Sequence, residues 1–125
     1  GIIVSEMVSN GVETVLGIVN DPVFGTTVMF GLGGVFVEVL EDVSFRVAPF
    51  DEKEASSMID EIRGRAILNG VRGADPVDVK ALAGTLSQLS FFAAENEENL
   101  SSVDLNPLIV LPNGAKIADA LIITK

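Results

Sequence analysis

Hydrophobic positions along this chain fall first into short runs, then into helical stripes, then into runs again. Ile2 to Val8, Glu13 to Val19 and Thr26 to Phe30 are short apolar segments separated by the polar clusters Ser9-Asn10-Gly11 and Asn20-Asp21-Pro22. That punctuation predicts three strands with turns between them. Gly31-Leu32-Gly33-Gly34 is too rich in glycine for a strand interior. Val35 to Leu40 and Val43 to Val47 read as further extended segments, with Pro49 as a stop. The period then changes. Asp51 opens a helix as its cap, with Glu54 placed to complete a capping box, and Ala55, Met58, Ile59 and Ile62 form one apolar face. Gly64 can end that helix, and a loop through Gly70 and Gly73 follows. Asp75-Pro76 opens a second helix, with Pro at its first position and Val79, Leu82, Leu86, Leu89 and Ala93 as its buried stripe. Glu95 to Asn99 is its polar exit, and a strand pair comes last. Strands, two helices and a final hairpin predict one α+β domain over residues 1–125, with a largely antiparallel sheet and both helices on one face.

The final hairpin carries the candidate chemistry. Asn113-Gly114 signals a two-residue turn. Pairing outward from it sets Leu111 opposite Lys116, Leu108 opposite Asp119 and Asn106 opposite Leu121. Alternation then puts Asp104, Asn106 and Asp119 on one face, together with Leu108, Val110, Ile117 and Leu121, and turns Lys116 to the other. Asn106 and Asp119 become diagonal neighbours roughly 7–8 Å apart, a gap that a cation can bridge. Two carboxylates and an amide oxygen are hard ligands that suit magnesium. Solvated acids at strand ends are common. A strand pair apolar on both faces is usually covered, however, and carboxylates there need a partner. A three-residue loop would flip the register and separate the set.

Composition narrows the chemistry. The 125 residues include no Cys and no His, which removes thiolate, disulfide and imidazole chemistry from this chain. A net charge of −10, from 18 acidic and 8 basic residues, argues against a nucleic-acid partner and leaves few cations for a polyphosphate. Nothing is long and apolar enough to span a membrane, and Ile2-Ile3-Val4 is too short for a signal segment. A strand starting at Ile2, directly after Gly1, reads as a piece of something longer.

Several segments, in order, resemble the ATP-grasp domain of ADP-forming acyl-CoA synthetases, the acetyl-CoA and succinyl-CoA synthetase relatives. They are Ile3-Val4-Ser5-Glu6-Met7-Val8, Gly11-Val12-Glu13, Gly17 to Gly25, Phe30 to Glu38, Arg46-Val47-Ala48-Pro49 and Val103-Asp104-Leu105-Asn106-Pro107-Leu108. The resemblance covers the second lobe of an ATP-grasp fold. It implies partners outside this chain: a first half bearing phosphate-binding lysines, and CoA-binding and ligase domains carrying a phosphohistidine.

It also implies roles, with ATP or ADP and Mg2+ as cofactors in a cytoplasmic enzyme. Glu6, Met7 and Val8 resemble the hinge strand whose backbone meets the adenine edge, and Glu13 the acid that accepts from ribose hydroxyls. Asn106 and Asp119 resemble the magnesium ligands. Asp104 would bind metal or position the phosphohistidine. Arg46 could reach a phosphate, or could instead be a surface residue satisfied by Glu41 or Asp42. The implied reaction is acid, CoA and ATP to acyl-CoA, ADP and phosphate, with this chain alone inactive. Two other readings stand beside it. One is an ATP-grasp carboxylate–amine ligase. The other is a non-catalytic assembly module that forms a homodimer through the face its missing half would cover.

Overall fold

The computed structural model describes residues 11–33, 42–69 and 76–125. The expected strands Ile2 to Val8 and Val35 to Leu40, the turn at Ser9-Asn10, the loop through Gly70 and Gly73, and Asp75 lie outside those residues. Among the described residues six strands form one antiparallel sheet. They are β1 (Val12–Asp21), β2 (Gly25–Leu32), β3 (Val43–Val47), β4 (Leu100–Val110), β5 (Ala115–Ile117) and β6 (Ala120–Thr124). The order is β3-β2-β1-β4-β5, with β6 pairing β4 beyond the end of β5. Helix α1 (Glu52–Asp60), a 3-10 helix (Arg63–Asn69) and α2 (Val79–Glu95) lie between β3 and β4 in sequence. Helix α1 packs on α2 and β3, and α2 packs on β1, β2 and β4.

The helices cover one face of the sheet. Leu16, Ile18, Val28, Phe30, Leu32, Val103 and Leu105 point into that core, as do Ala55, Met58, Ile59, Ile62, Leu82 and Leu86 from the helical layer. Both helical stripes expected from periodicity are the buried ones, with Val79 and Leu89 at the margin. Two positions outside the stripe are buried serines. Ser87 Oγ donates to Phe50 O at 2.8 Å, and Ser90 Oγ accepts from Phe50 N–H at 3.0 Å. They satisfy a backbone segment that leads into α1.

Local details depart from the sequence pattern for identifiable reasons. Strand β2 continues through Gly31 and Leu32, because Gly31 is paired on both sides, to Val15 and to Val43, and Leu32 fills the core. Strand β1 runs on to Asp21, so the turn moves to Pro22–Phe24. There the Asp21 carboxylate accepts from Val23 N–H at 2.7 Å and Phe24 N–H at 2.9 Å. Asp51 does cap α1, accepting from Glu54 N–H at 2.9 Å. The return half of the capping box is absent, since the Glu54 carboxylate accepts from Arg46 Nε at 2.7 Å. Helix α1 ends at Asp60, before Gly64. Helix α2 is capped by Asp78, three residues beyond Asp75; Val77 and Asp78 first donate their N–H groups to Leu68 O and Leu111 O.

Asp42 is buried, and its two oxygens accept from Arg63 N–H at 2.7 Å and Gly64 N–H at 2.8 Å at the start of the 3-10 helix. A Cβ on Gly64 would stand 2.6 Å from Leu32 Cδ1, so this corner has no spare room. Asp42→Ala strands two donors in a closed site. It is expected to cost about 1–3 kcal/mol, read as a lower urea midpoint with an unchanged slope.

Candidate functional site

Opposite the helices lies a second sheet face with no helix on it among the described residues. Alternation brings Glu13, Val15, Gly17 and Val19 of β1 to that face, with Thr27 and Met29 of β2 and Phe45 and Val47 of β3 beside them. At its β3 edge, Val19, Phe24, Phe45 and Val47 line an open depression of about 450 Å³. At its other end, near β4, sit Asp104 and Asn106.

A bulge in β4 makes that placement possible. Thr14 pairs with Leu108 and Leu16 with Leu105, so Asn106 and Pro107 together stand against Val15 alone. The extra residue inverts the alternation along β4. Before it, Val103 and Leu105 face the core while Asp104 and Asn106 are exposed. After it, Leu108 and Val110 turn into the core. The hairpin face expected to carry Asp104, Asn106, Leu108 and Val110 together is thus split at Pro107. Buried Thr14 holds the bulge by donating from Oγ1 to Leu108 O at 2.8 Å.

The hairpin itself pairs two residues away from the expected register. Ile109 faces Lys116, Leu108 faces Ile117 and Asp104 faces Leu121. Leu111 N–H donates to Gly114 O at 2.9 Å, so the turn is centred on Pro112-Asn113. Pro112 favours the first central position of a turn, and Gly114, at φ +96°, takes the left-handed position that follows it. A shift of two preserves the faces where a shift of one would exchange them. Beyond the bulge Lys116 also departs from the expected arrangement. Paired with Ile109, which lies outside the core cluster, it shares the open face with Glu13.

Asp119 lies in the short break between β5 and β6, opposite the bulge. Asn106 N–H donates to Asp119 O at 3.2 Å, so the two are cross-strand partners and not diagonal neighbours. Counting back from Leu121, the side chain of Asp119 falls on the face of Asp104 and Asn106. The carboxylate accepts from Ala120 N–H at 3.0 Å through one oxygen. All three side chains are exposed. Among the described residues the ion pairs are those of Arg46, and no cation among them pairs with Asp104 or Asp119.

Among the described residues no three carboxylates, His or Cys gather into a metal-holding group. A cation here would therefore rest on two carboxylates and one amide, with its other positions filled by water or ligand oxygens. That donor set fits magnesium, which keeps several waters and takes few protein ligands.

The other candidates fall as follows. Glu13 is exposed on β1; its carbonyl accepts from Gly33 N–H at 2.8 Å. It borders a small recess of about 130 Å³ with Val12, Leu32, Gly33 and Ile67. A Cβ at Gly33 would stand 3.1 Å from Glu13 Cβ and 3.2 Å from its carbonyl oxygen, so a larger residue would crowd this recess. Arg46 is not brought to Asp104. It pairs with Val28 on the helix side of β3, and its guanidinium is held by Glu54 and by both oxygens of Glu61. Arg46 holds the Glu61 carboxyl below its ordinary value of 4.5. The satisfying acids are Glu54 in α1 and Glu61 at its C-terminal cap, and not Asp42; Glu41 lies outside the described residues. Glu6, Met7 and Val8 lie outside the described residues.

Sequence reasoning missed Asp78. Its Oδ1 accepts from Ala81 N–H at 3.0 Å, and its Oδ2 accepts from Gly114 N–H at 2.8 Å in the hairpin turn. These backbone bonds hold its carboxyl below the ordinary value of 3.8. The available signal was an acid beginning a helical stripe, overshadowed by Asp75-Pro76.

The ATP-grasp domain family matches residues 1–124. The acetate–CoA ligase [ADP-forming] II subunit beta of Pyrococcus furiosus is 42% identical over 127 residues, covering 100% of this chain and 54% of the relative. The subunit beta of its acetate–CoA ligase [ADP-forming] I is 44% identical, covering 98% of this chain and 53% of the relative. The dinucleotide forming acetyl-coenzyme A synthetase 1 of Ca. Korarchaeum cryptofilum superposes with a TM-score of 0.87 at 51% identity, over 92% of this chain and 54% of that one. That structure holds coenzyme A and Mg-AMPPCP, with a phosphohistidine segment pointing towards the nucleotide binding site. The chain spans about half the length of these relatives.

Proposed function

The chain belongs to the ATP-grasp domain family, and from that premise we propose that it is the C-terminal, nucleotide- and magnesium-facing subdomain of a cytoplasmic ADP-forming acyl-CoA synthetase. The complete enzyme would convert acid, CoA and ATP to acyl-CoA, ADP and phosphate through a phosphohistidine on another domain. The observation that carries the reading is the meeting of Asn106 and Asp119 across β4 and the β5–β6 break, beside Asp104, on the open face of the sheet. The relatives reported above are acid–CoA ligases, which favours this branch over the carboxylate–amine ligases.

In this arrangement the Asn106 amide oxygen and the Asp119 carboxylate would hold magnesium. The ion would neutralise charge on the nucleotide phosphates. Asp104, next to Asn106 on the same face, is placed to orient an incoming imidazole by accepting its N–H. Glu13, further along the face, would accept from ribose hydroxyls, and the backbone of Glu6 to Val8 would read the adenine edge. Phosphoryl transfer asks mainly for positioning and charge balance, and this chain offers oxygen donors on a rigid sheet for both. The first half of the module would bring the lysines that an acidic chain lacks.

Calorimetric titration of ADP into the complete enzyme tests the reading. Binding heat is expected to depend on magnesium, and that dependence to vanish in Asn106→Ala. Equal heats with and without magnesium in the unaltered enzyme would remove the metal from this face.

A further inference from the structure

Two turn signals overlap in Leu111-Pro112-Asn113-Gly114-Ala115. Asn113-Gly114 suits a two-residue turn with Asn and Gly central, and Pro112-Asn113 suits a turn followed by a left-handed Gly. The structure adopts the second. The first would slide the strands by two residues, setting Leu108 against Asp119 and Asn106 against Leu121. Because the bulge puts Leu108 on the core side, Asp119 would leave the open face, while Ile117 and Leu121 would keep their faces. Asp119 would also move along β4 by about 7 Å relative to Asn106.

The turn sequence does not decide between them; β5 holds the observed register by three pairs to β4 and β6 by five, and all of them would slide together. Asp78 touches both sides of the turn. Its N–H donates to Leu111 O at 2.7 Å on the β4 side, and its Oδ2 accepts from Gly114 N–H at 2.8 Å on the β5 side. Its Oδ1 is engaged at the same time by Ala81 N–H at 3.0 Å, which ties the clamp to the first turn of α2. In the alternative turn Gly114 becomes a central residue, and this two-point fit to Leu111 and Gly114 is lost.

We infer that Asp78 is a positioning residue that selects the hairpin register and thereby sets Asn106 opposite Asp119. The register claim stands on the geometry alone; its consequence for the cation rests on the function proposed above.

Asp78→Asn separates capping from clamping. Its amide oxygen can still accept from Ala81 N–H, but an NH2 group then meets Gly114 N–H, donor against donor. Asp78→Ser keeps a cap with a single oxygen and guards against a folding failure. Cross-strand proton contacts by NMR read the register, amide protection along α2 reads the helix, and line broadening by manganese(II) alone reads the cation site. In the variants, contacts between Leu108 and Asp119 are expected to appear beside those between Leu108 and Ile117. Helix α2 should stay protected, and manganese affinity should fall on the order of tenfold. Variants that retain only the Leu108–Ile117 contact overturn the inference, as does loss of α2 with the register unchanged. Should the register shift while manganese broadens neither Asn106 nor Asp119 in the unaltered protein, register selection stands and the metal reading falls.

Discussion

Asp119→Asn in the complete enzyme is expected to slow phosphoryl transfer on the order of 10²–10³-fold, the usual loss when one preorganised charge-stabilising group is removed. Folding should be untouched. The side chain is exposed, and its structural contact is an oxygen accepting from Ala120 N–H, which an amide oxygen can replace. What changes is the charge presented beside Asn106. Transfer of labelled phosphate from ATP to the histidine-bearing domain measures the rate, and thermal melting checks the fold. Two features would mark a lost metal ligand: a rise in the magnesium concentration needed for half-maximal rate, and partial recovery at high magnesium. A variant that transfers phosphate at the normal rate excludes Asp119 from the site.

Phe30→Ala is expected to have the largest effect on stability, about 3–5 kcal/mol. Phe30 is fully buried in the interior strand β2, between β1 and β3, beneath the helical layer. A domain holds roughly 5–15 kcal/mol in all, so this loss leaves little margin. Urea unfolding followed by circular dichroism should show a much lower midpoint. Phe45→Ala, one strand over on the open face and half exposed, serves as the contrast and should move the midpoint far less. Equal losses at both positions would contradict the assignment of one packed and one open face.

Periodicity revealed what large-scale burial controls. The stripes Ala55–Ile62 and Leu82–Ala93 had to be helical, because only that spacing buries them on one side. Asp51 was legible as a cap for the same local reason. Details fixed by competition between neighbours were hidden. Glu54 could have returned to the cap, but Arg46 from the adjacent strand claims it. Asp75-Pro76 and Asp78 both carry start signals, and contacts to Leu68 and Leu111 decide for the later one. At the candidate site, the grouping of Asp104, Asn106 and Asp119 was readable from alternation and a turn. The two-residue offset was not, because two turns overlap there. The bulge was not readable either, because its extra residue shows only when β1 is laid against β4. Arg46 could be placed only with α1 in view, since its partners lie 8 and 15 residues away.

Every residue of β6 is exposed, its strand partner among the described residues is β4, and Ala120-Leu121-Ile122-Ile123 carries no charge on either side. Such a border invites growth: another extended segment can add to it by main-chain hydrogen bonds and bury aliphatic surface as it does so. In a larger assembly that adhesiveness becomes a seam for joining neighbouring parts, and in concentrated isolated material it becomes a route to precipitation.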